Sequence, residues 1–159
     1  MTAPTEDPQS QIGTEGSVLQ IGTEDSALDQ ALSDGLDVVN AAATPGIADQ
    51  TPLTVKVCDE TGALVAGLSG WTWGTCAGIA MVWVREDSRG DGWGAQLLAA
   101  AESEALRRGC HQVTVSSFTF QAPEFYQRHG YVEYARTEGL PVAGMADVHL
   151  RKDLAPTDA

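Results

Sequence analysis

The chain has 159 residues, with 22 Asp plus Glu against 9 Lys plus Arg, a formal charge of −13, and 43% hydrophobic content. That length suits one domain and that apolar content supports a core, while so few cations leave no stripe to displace counterions from nucleic-acid phosphates. The longest nearly apolar run, residues 76–84, is far short of the roughly 20 residues that span a bilayer, and the acidic start is unlike a secretory signal, so no membrane partner and a cytoplasmic location are expected.

The charge is uneven along the chain. Up to position 60 there are 11 acids against Lys56 alone, giving −10; beyond it 11 acids face 8 basic residues, giving −3. Residues 1–17 are polar and rich in Pro, Gln and Thr, and read as a loose tail ahead of a domain over 18–155. QIGTE occurs at Gln11 and again at Gln20, but two short copies do not make a repeat architecture. The second copy, within SVLQIGTED, has the apolar start of a strand, and Asp25 with Ser26 suits a helix cap. Over residues 27–43, Leu28, Leu32, Leu36, Val38 and Val39 recur at three-to-four spacing, the mark of an amphipathic helix, which Pro45 and Gly46 end.

The period then changes to two. PLTVKVCD, TGALVAGLSGWTW and CAGIAMVWVRED are three consecutive strands joined by short turns, an antiparallel meander. Residues 94–108 return to helical spacing, with Leu97, Leu98, Ala101 and Ala105 on one face, Arg107 and Arg108 in the last turn and Gly109 as the stop. HQVTVSSFTF follows as a strand, and a short helix over 122–129 opens at Pro123 and closes before Gly130. YVEYART and ADVHLRKDL are the last two strands. The order β, α, three β, α, β, α, β, β is that of a single α+β domain: a mixed central sheet, antiparallel meander plus one parallel crossover, flanked by helices.

The most informative stretch is VWVREDSRGDGWGAQLL, where a strand runs through Arg89, Gly90, Asp91, Gly92, Trp93 and Gly94 straight into a helix. Alternating glycines let the backbone turn tightly and leave N–H groups bare beside a helix N-terminus, which makes a cradle for phosphate oxygens. It is not a nucleotide P-loop, since no Gly-Lys-Ser/Thr follows, nor a dinucleotide fingerprint after the first strand. Cys58, Cys76 and Cys110 are widely spaced, with no C-x-x-C and no His pair at ligand spacing, so neither a disulfide framework nor a metal site is expected.

The pattern R-x-x-G-x-G on Arg89, Gly92 and Gly94, placed between strand and helix, resembles the pyrophosphate-binding signature of the GNAT superfamily of acetyl-CoA-dependent N-acetyltransferases. A second match lies downstream in FQAPEFYQRHGY, which is similar to the family's A-x-x-x-Y-x-x-x-G-aromatic helix at Ala122, Tyr126, Gly130 and Tyr131. The resemblance runs from about Leu19 to Leu154. It implies that Val82 and Val84 offer main-chain groups to the pantetheine arm of acetyl-CoA, in a gap where their strand splays from the parallel strand at Val113. The pyrophosphate is then expected on the N–H groups of Arg89, Gly90, Asp91, Gly92, Trp93, Gly94 and Ala95.

Direct attack of an amine on a thioester expels a thiolate, which Tyr126 is expected to protonate as general acid. Glu86, at the end of the strand, is the candidate base, with Asp87 beside it. Glu102 and Glu104 fall within a helix and are read as lying on its wet face, and Phe125 as packing the core. Thr119 stands where many family members carry an asparagine that supports the pantetheine, and Asp91 puts a negative charge inside the phosphate cradle. His111 and His129 do not lie where catalysis is expected, and Cys110 precedes its strand, a poor place for an acetyl carrier. The resemblance thus implies acetyl transfer to an amine of a small molecule, with no metal and with a homodimer as the assembly. The alternatives are a protein or peptide amine as acceptor, or a non-catalytic CoA-binding module.

Overall fold

The computed structural model describes residue 17 and residues 19–154; the expected tail and the first QIGTE copy lie outside the described residues, apart from position 17. The chain divides into two compact units, one up to Pro45 and one from Gly46.

The first unit contains α1, Ser26–Ala43. Its N-cap is Asp25, whose side chain accepts a hydrogen bond from Leu28 N at 2.9 Å, and Thr44 closes it by bonding to Asn40 O through backbone N–H and hydroxyl. The strand expected before it is absent: residues 19–25 form none. Leu19 and Ile21 are exposed and pair with no neighbouring edge, and β-propensity without a partner does not make a strand.

The second unit is built on six strands, β1 (Thr51–Cys58), β2 (Leu64–Trp73), β3 (Cys76–Val84), β4 (Gln112–Phe118), β5 (Val132–Glu138) and β6 (Ala146–Asp153), in the spatial order β1-β2-β3-β4-β6-β5. β1 to β3 form the antiparallel meander, and β3 and β4 are the parallel pair. The crossover between them is α2 (Trp93–Arg107), entered through a 3-10 turn at Glu86–Ser88. A short helix, α3 (Pro123–Arg128), joins β4 to the β5-β6 hairpin. The α+β class and the mixed sheet are as the sequence pattern requires, with one strand fewer.

α2 buries Leu97, Leu98, Ala101 and Ala105 against Leu53, Ala66, Leu68, Ala77 and Ile79 of the sheet. Burying side chains of this size contributes about 1.5–3 kcal/mol each for the larger ones, so this seam sets where the α2 N-terminus points. At the other end, Arg108 bonds Glu104, Pro52 O at 2.9 Å and Thr72 Oγ1 at 3.2 Å, tying the helix to the β1-β2 edge. Glu102 is not on a wet face. It accepts from Lys152 Nζ at 2.7 Å and from Tyr131 Oη at 3.1 Å, and its side chain is only 15% exposed. Glu104 does keep to the surface, and its two arginines hold its carboxyl down at about 2.

Candidate active site

β3 and β4 pair only over the first half of their length. The parallel register runs from Cys76 opposite Gln112 to Ile79 opposite Val115 and then stops. The cause is in the β2-β3 pairing: Ser69 faces Met81 whereas Gly70 faces Ile79, so Ala80 is an extra residue in β3, and such a bulge bends and twists the strand that carries it. Beyond it β3 keeps to β2 and parts from β4. Arg85 N donates to Val65 O at 2.8 Å, so by strand alternation Val84 and Val82 turn their N–H and C=O groups away from β2, into the gap that β4 vacates.

That gap is the mouth of a cleft of about 740 Å³. Its walls include Val82 and Val84 of β3, Val115 and Ser117 of β4, and Phe125 and Tyr126 of α3, with Arg89, Gly94 and Arg128 also on the lining. The cleft therefore carries two arginines and, among the residues that line it, no carboxylate, in a chain of charge −13.

The glycine loop lies at one end. Gly90 and Gly92 have φ of +92° and +83°, which a side chain would oppose, whereas Gly94 has an ordinary φ and a different reason to be glycine. A Cβ there would stand 3.0 Å from Cζ of Phe125, so the bare backbone lets α3 dock on the first turn of α2. Gly92 is the N-cap of α2, provides no side-chain hydrogen bond, and is followed by no acid in the first turn. The N–H groups of Trp93, Gly94 and Ala95 are thus left for a ligand, and the helix end favours an anion. Asp91 is exposed, one residue before the cap, and Arg89 reaches back to Val84 O at 3.2 Å.

Tyr126 is 8% exposed and packs edge-on against Phe125 and Tyr131, with ring centroids 5.2 and 5.6 Å away. Its hydroxyl has no hydrogen-bond partner among the described residues, and burial raises its pKa, so the phenol keeps its proton at neutral pH. Ser117, buried beside it, accepts from Ala122 N at 3.3 Å and so fixes the start of α3.

The other candidates separate from this group. Glu86 is exposed, opens the 3-10 turn and does not line the cleft. It lies six residues past Ala80, roughly 20 Å along an extended chain, at the end that holds the glycine loop. Asp87 is engaged by Arg85 at 2.7 Å, and Arg85 also grips Asp59 at 2.9 Å, holding the strand end to the β1-β2 turn. Thr119 serves the fold, its hydroxyl accepting from Ala146 N at 3.1 Å. His129 caps α3 with Nδ1 2.7 Å from Phe125 O, and Cys110 is buried, which pushes its thiol pKa up. Arg128, in the last turn of α3, belongs to neither sequence motif, and only the fold brings it to the cleft. Among the described residues no three His, Cys, Asp or Glu side chains gather to hold a metal ion.

The model of the acetyltransferase (GNAT) domain matches residues 52–133, which takes in β1 to β4, the glycine loop, α2 and α3. This chain belongs to the GNAT acetyltransferase family. As a GNAT acetyltransferase it is an acyl-transferring enzyme, and two curated relatives agree. It is 42% identical over 78 residues to the blasticidin-S acetyltransferase of Streptomyces morookaense, a match covering 46% of this chain and 55% of that protein. With an acetyltransferase of Agrobacterium fabrum it shares 30% identity over 105 residues, 66% of this chain and 76% of the relative. The crystal structure of an acetyltransferase from Bacillus cereus superposes with a TM-score of 0.75 at 30% identity, over 86% of this GNAT chain and 98% of the other.

Proposed function

We propose that this GNAT acetyltransferase moves an acetyl group from acetyl-CoA to an amine of a small molecule, by direct attack within a ternary complex. The observation that carries the reading is the parting of β3 from β4 after Ile79 and Val115, which leaves strand backbone unpaired and leads to an uncapped helix N-terminus. A ligand that presents amides at one end and a pyrophosphate at the other fits that order of groups. Its pantetheine amides take the place of a missing strand against Val82 and Val84, in the manner of β-augmentation. Its phosphates meet the N–H groups from Gly90 through Asp91, Gly92, Trp93, Gly94 and Ala95; the Arg89 N–H, expected among them, donates instead to Glu86 O at 3.3 Å, which leaves Arg89 to act through its side chain. Arg89 and Arg128 supply the positive charge.

Tyr126 donates its phenolic proton to the departing thiolate, and its raised pKa keeps that proton in place until the sulfur needs it. Glu86 is placed beside the phosphate end of the cleft, and we assign it no proton transfer. Buried Cys110 lies off the cleft lining, so no acetyl-enzyme is invoked. The small-molecule acceptor follows the relative named for blasticidin S. The acetyltransferase domain is taken as residues 18–155, acting in the cytoplasm as a homodimer on the family resemblance; light scattering against ionic strength tests the assembly.

The test is acetyl-CoA consumption by the wild-type chain over aminoglycosides, polyamines, simple amino-group donors and peptides. Turnover of one or more small amines is expected. Turnover of peptides alone assigns the acceptor to proteins, and acetyl-CoA that binds with no turnover on any of them makes the chain a CoA-binding module.

A further inference from the structure

A second, smaller pocket of about 200 Å³ is lined by Trp71, Gly78, Thr114, Ser116, Tyr134 and His149. Its position follows from the pleat. Val113, Val115 and Ser117 of β4 are buried on the side that carries α2 and α3, so Thr114 and Ser116 face the other side, and His149 stands opposite Ser116 in the β4-β6 register. Gly78 lacks a side chain because the Trp71 indole lies over it. Ser116 and Val115 line both this pocket and the cleft, at the point where β3 leaves β4. The two cavities therefore approach the splay from opposite faces of the sheet.

We propose that His149, whose Nε2 has Thr137 Oγ1 at 3.4 Å and the Asp147 carboxylate close by, is the proton acceptor for the attacking amine; this rests on the acetyl-transfer reading given above. The amine enters from the small pocket, between Trp71 and Tyr134, whose ring faces suit a cationic group, and Tyr134 lies 6.3 Å from the imidazole centroid. His149 Nε2 is 3.7 Å from Asp147 Oδ2, and the Asp147 side chain is 14% exposed. The other oxygen of that carboxylate, Oδ1, is buried with no hydrogen-bond partner among the described residues, so its charge has the imidazole as its nearest cation when the ring is protonated. No carboxylate lines the cleft itself.

The step balances. The entering ammonium gives one proton to His149, which releases it to solvent; the neutral amine nitrogen then forms a bond to the thioester carbonyl carbon, its surplus proton passes to His149, the carbon–sulfur bond breaks, and the thiolate takes the Tyr126 proton. Solvent then returns the His149 proton to Tyr126. The groups around the imidazole are Asp147 and Arg151 on its own strand, Thr137 and Tyr134 on β5, and Ser116 and Thr114 on β4. The charged groups among these are Asp147, shielded from solvent with Oδ2 3.7 Å from Nε2, and Arg151, exposed two residues along on the same face.

The experiment uses the full chain and the amine that the acetyl-CoA panel turns over fastest, with kcat/KM measured from about pH 5 to 9. The wild type is expected to show an acid limb, since a base must be unprotonated to accept the amine proton. His149→Gln is expected to lose about 100-fold or more in kcat together with that limb, while its Kd for acetyl-CoA is unchanged. Asp147→Asn is expected to move the limb to lower pH, an effect that a purely structural carboxylate does not produce and that is readable even where His149→Gln fails to fold. A His149→Gln rate within about threefold of wild type with the limb retained, or a limb indifferent to Asp147→Asn, overturns the assignment. A wild type inactive on every amine overturns the acetyl-transfer reading itself, and the base with it. An active wild type with an indifferent His149 overturns the base alone.

Discussion

Gly94→Ala separates the two duties of the glycine loop. A β-carbon at Gly94 stands 3.0 Å from Cζ and 3.1 Å from Cε2 of Phe125. That ring is packed edge-on against Tyr126 at 5.2 Å and tilted against His129 at 4.6 Å, so it can give way only towards the cleft that it lines, at the cost of those contacts. Overpacking of this kind costs about 1–3 kcal/mol, whereas the better helix propensity of alanine returns up to about 1 kcal/mol. Strain wins, and the net loss of roughly 1 kcal/mol lowers the midpoint of thermal unfolding by about 2–4 °C in a chain of this size. Because Phe125 carries Tyr126 beside it, the variant also loses kcat. Thermal and urea unfolding of Gly94→Ala, Phe125→Leu and the double variant measure the coupling, expected to be at least about 0.5 kcal/mol in the compensating sense. A Gly94→Ala protein as stable as wild type, or equally destabilised with Phe125→Leu present, refutes the argument that this glycine is there for packing.

Three further outcomes follow from the cleft. Asp91→Asn removes an exposed negative charge beside the phosphate cradle, worth up to about 1 kcal/mol, so the KM for acetyl-CoA falls by up to about fivefold at low salt, and the gain fades as salt is raised. Unchanged values at low salt contradict it. Arg128→Ala raises that KM by about tenfold, as expected for one charge-assisted hydrogen bond of about 1.5 kcal/mol, with kcat little altered; a fall in kcat alone places Arg128 elsewhere in the reaction. Burial raises the Tyr126 pKa above that of a free phenol, so the group stays protonated through neutral and mildly alkaline pH. The alkaline limb of kcat should therefore lie above about pH 10, and a limb near pH 8 assigns the acid to another group.

The sequence made legible whatever depends on near neighbours. Helix α2 was readable from Leu97, Leu98, Ala101 and Ala105, and α3 from Pro123 and Gly130, because caps and apolar spacing are local. The cleft was legible as a motif at Arg89, Gly92, Gly94 and Tyr126, and three of these, Arg89, Gly94 and Tyr126, line it. What escaped was set by distant partners. Glu102 reads as a surface acid until Tyr131 and Lys152 arrive from 29 and 50 residues away. The bulge at Ala80, which opens the cleft, leaves no mark in the run CAGIAMVWV, since the two faces of β3 exchange in the middle of an apolar stretch. The strand expected near Leu19 failed for the opposite reason, a local pattern with no edge to pair with. Likewise strand order alone does not show that Glu86 opens a 3-10 turn after β3, off the lining of the cleft.

The most direct measurement is the steady-state comparison of wild type with Tyr126→Phe, together with acetyl-CoA affinity by calorimetry. Removing the hydroxyl while keeping the ring leaves the packing on Phe125 and Tyr131 in place, so affinity and KM for acetyl-CoA should stay within about twofold while kcat falls by about 100-fold. Equal kcat in the two proteins, or a loss confined to acetyl-CoA binding, contradicts a cleft in which Tyr126 delivers the proton to the leaving thiolate.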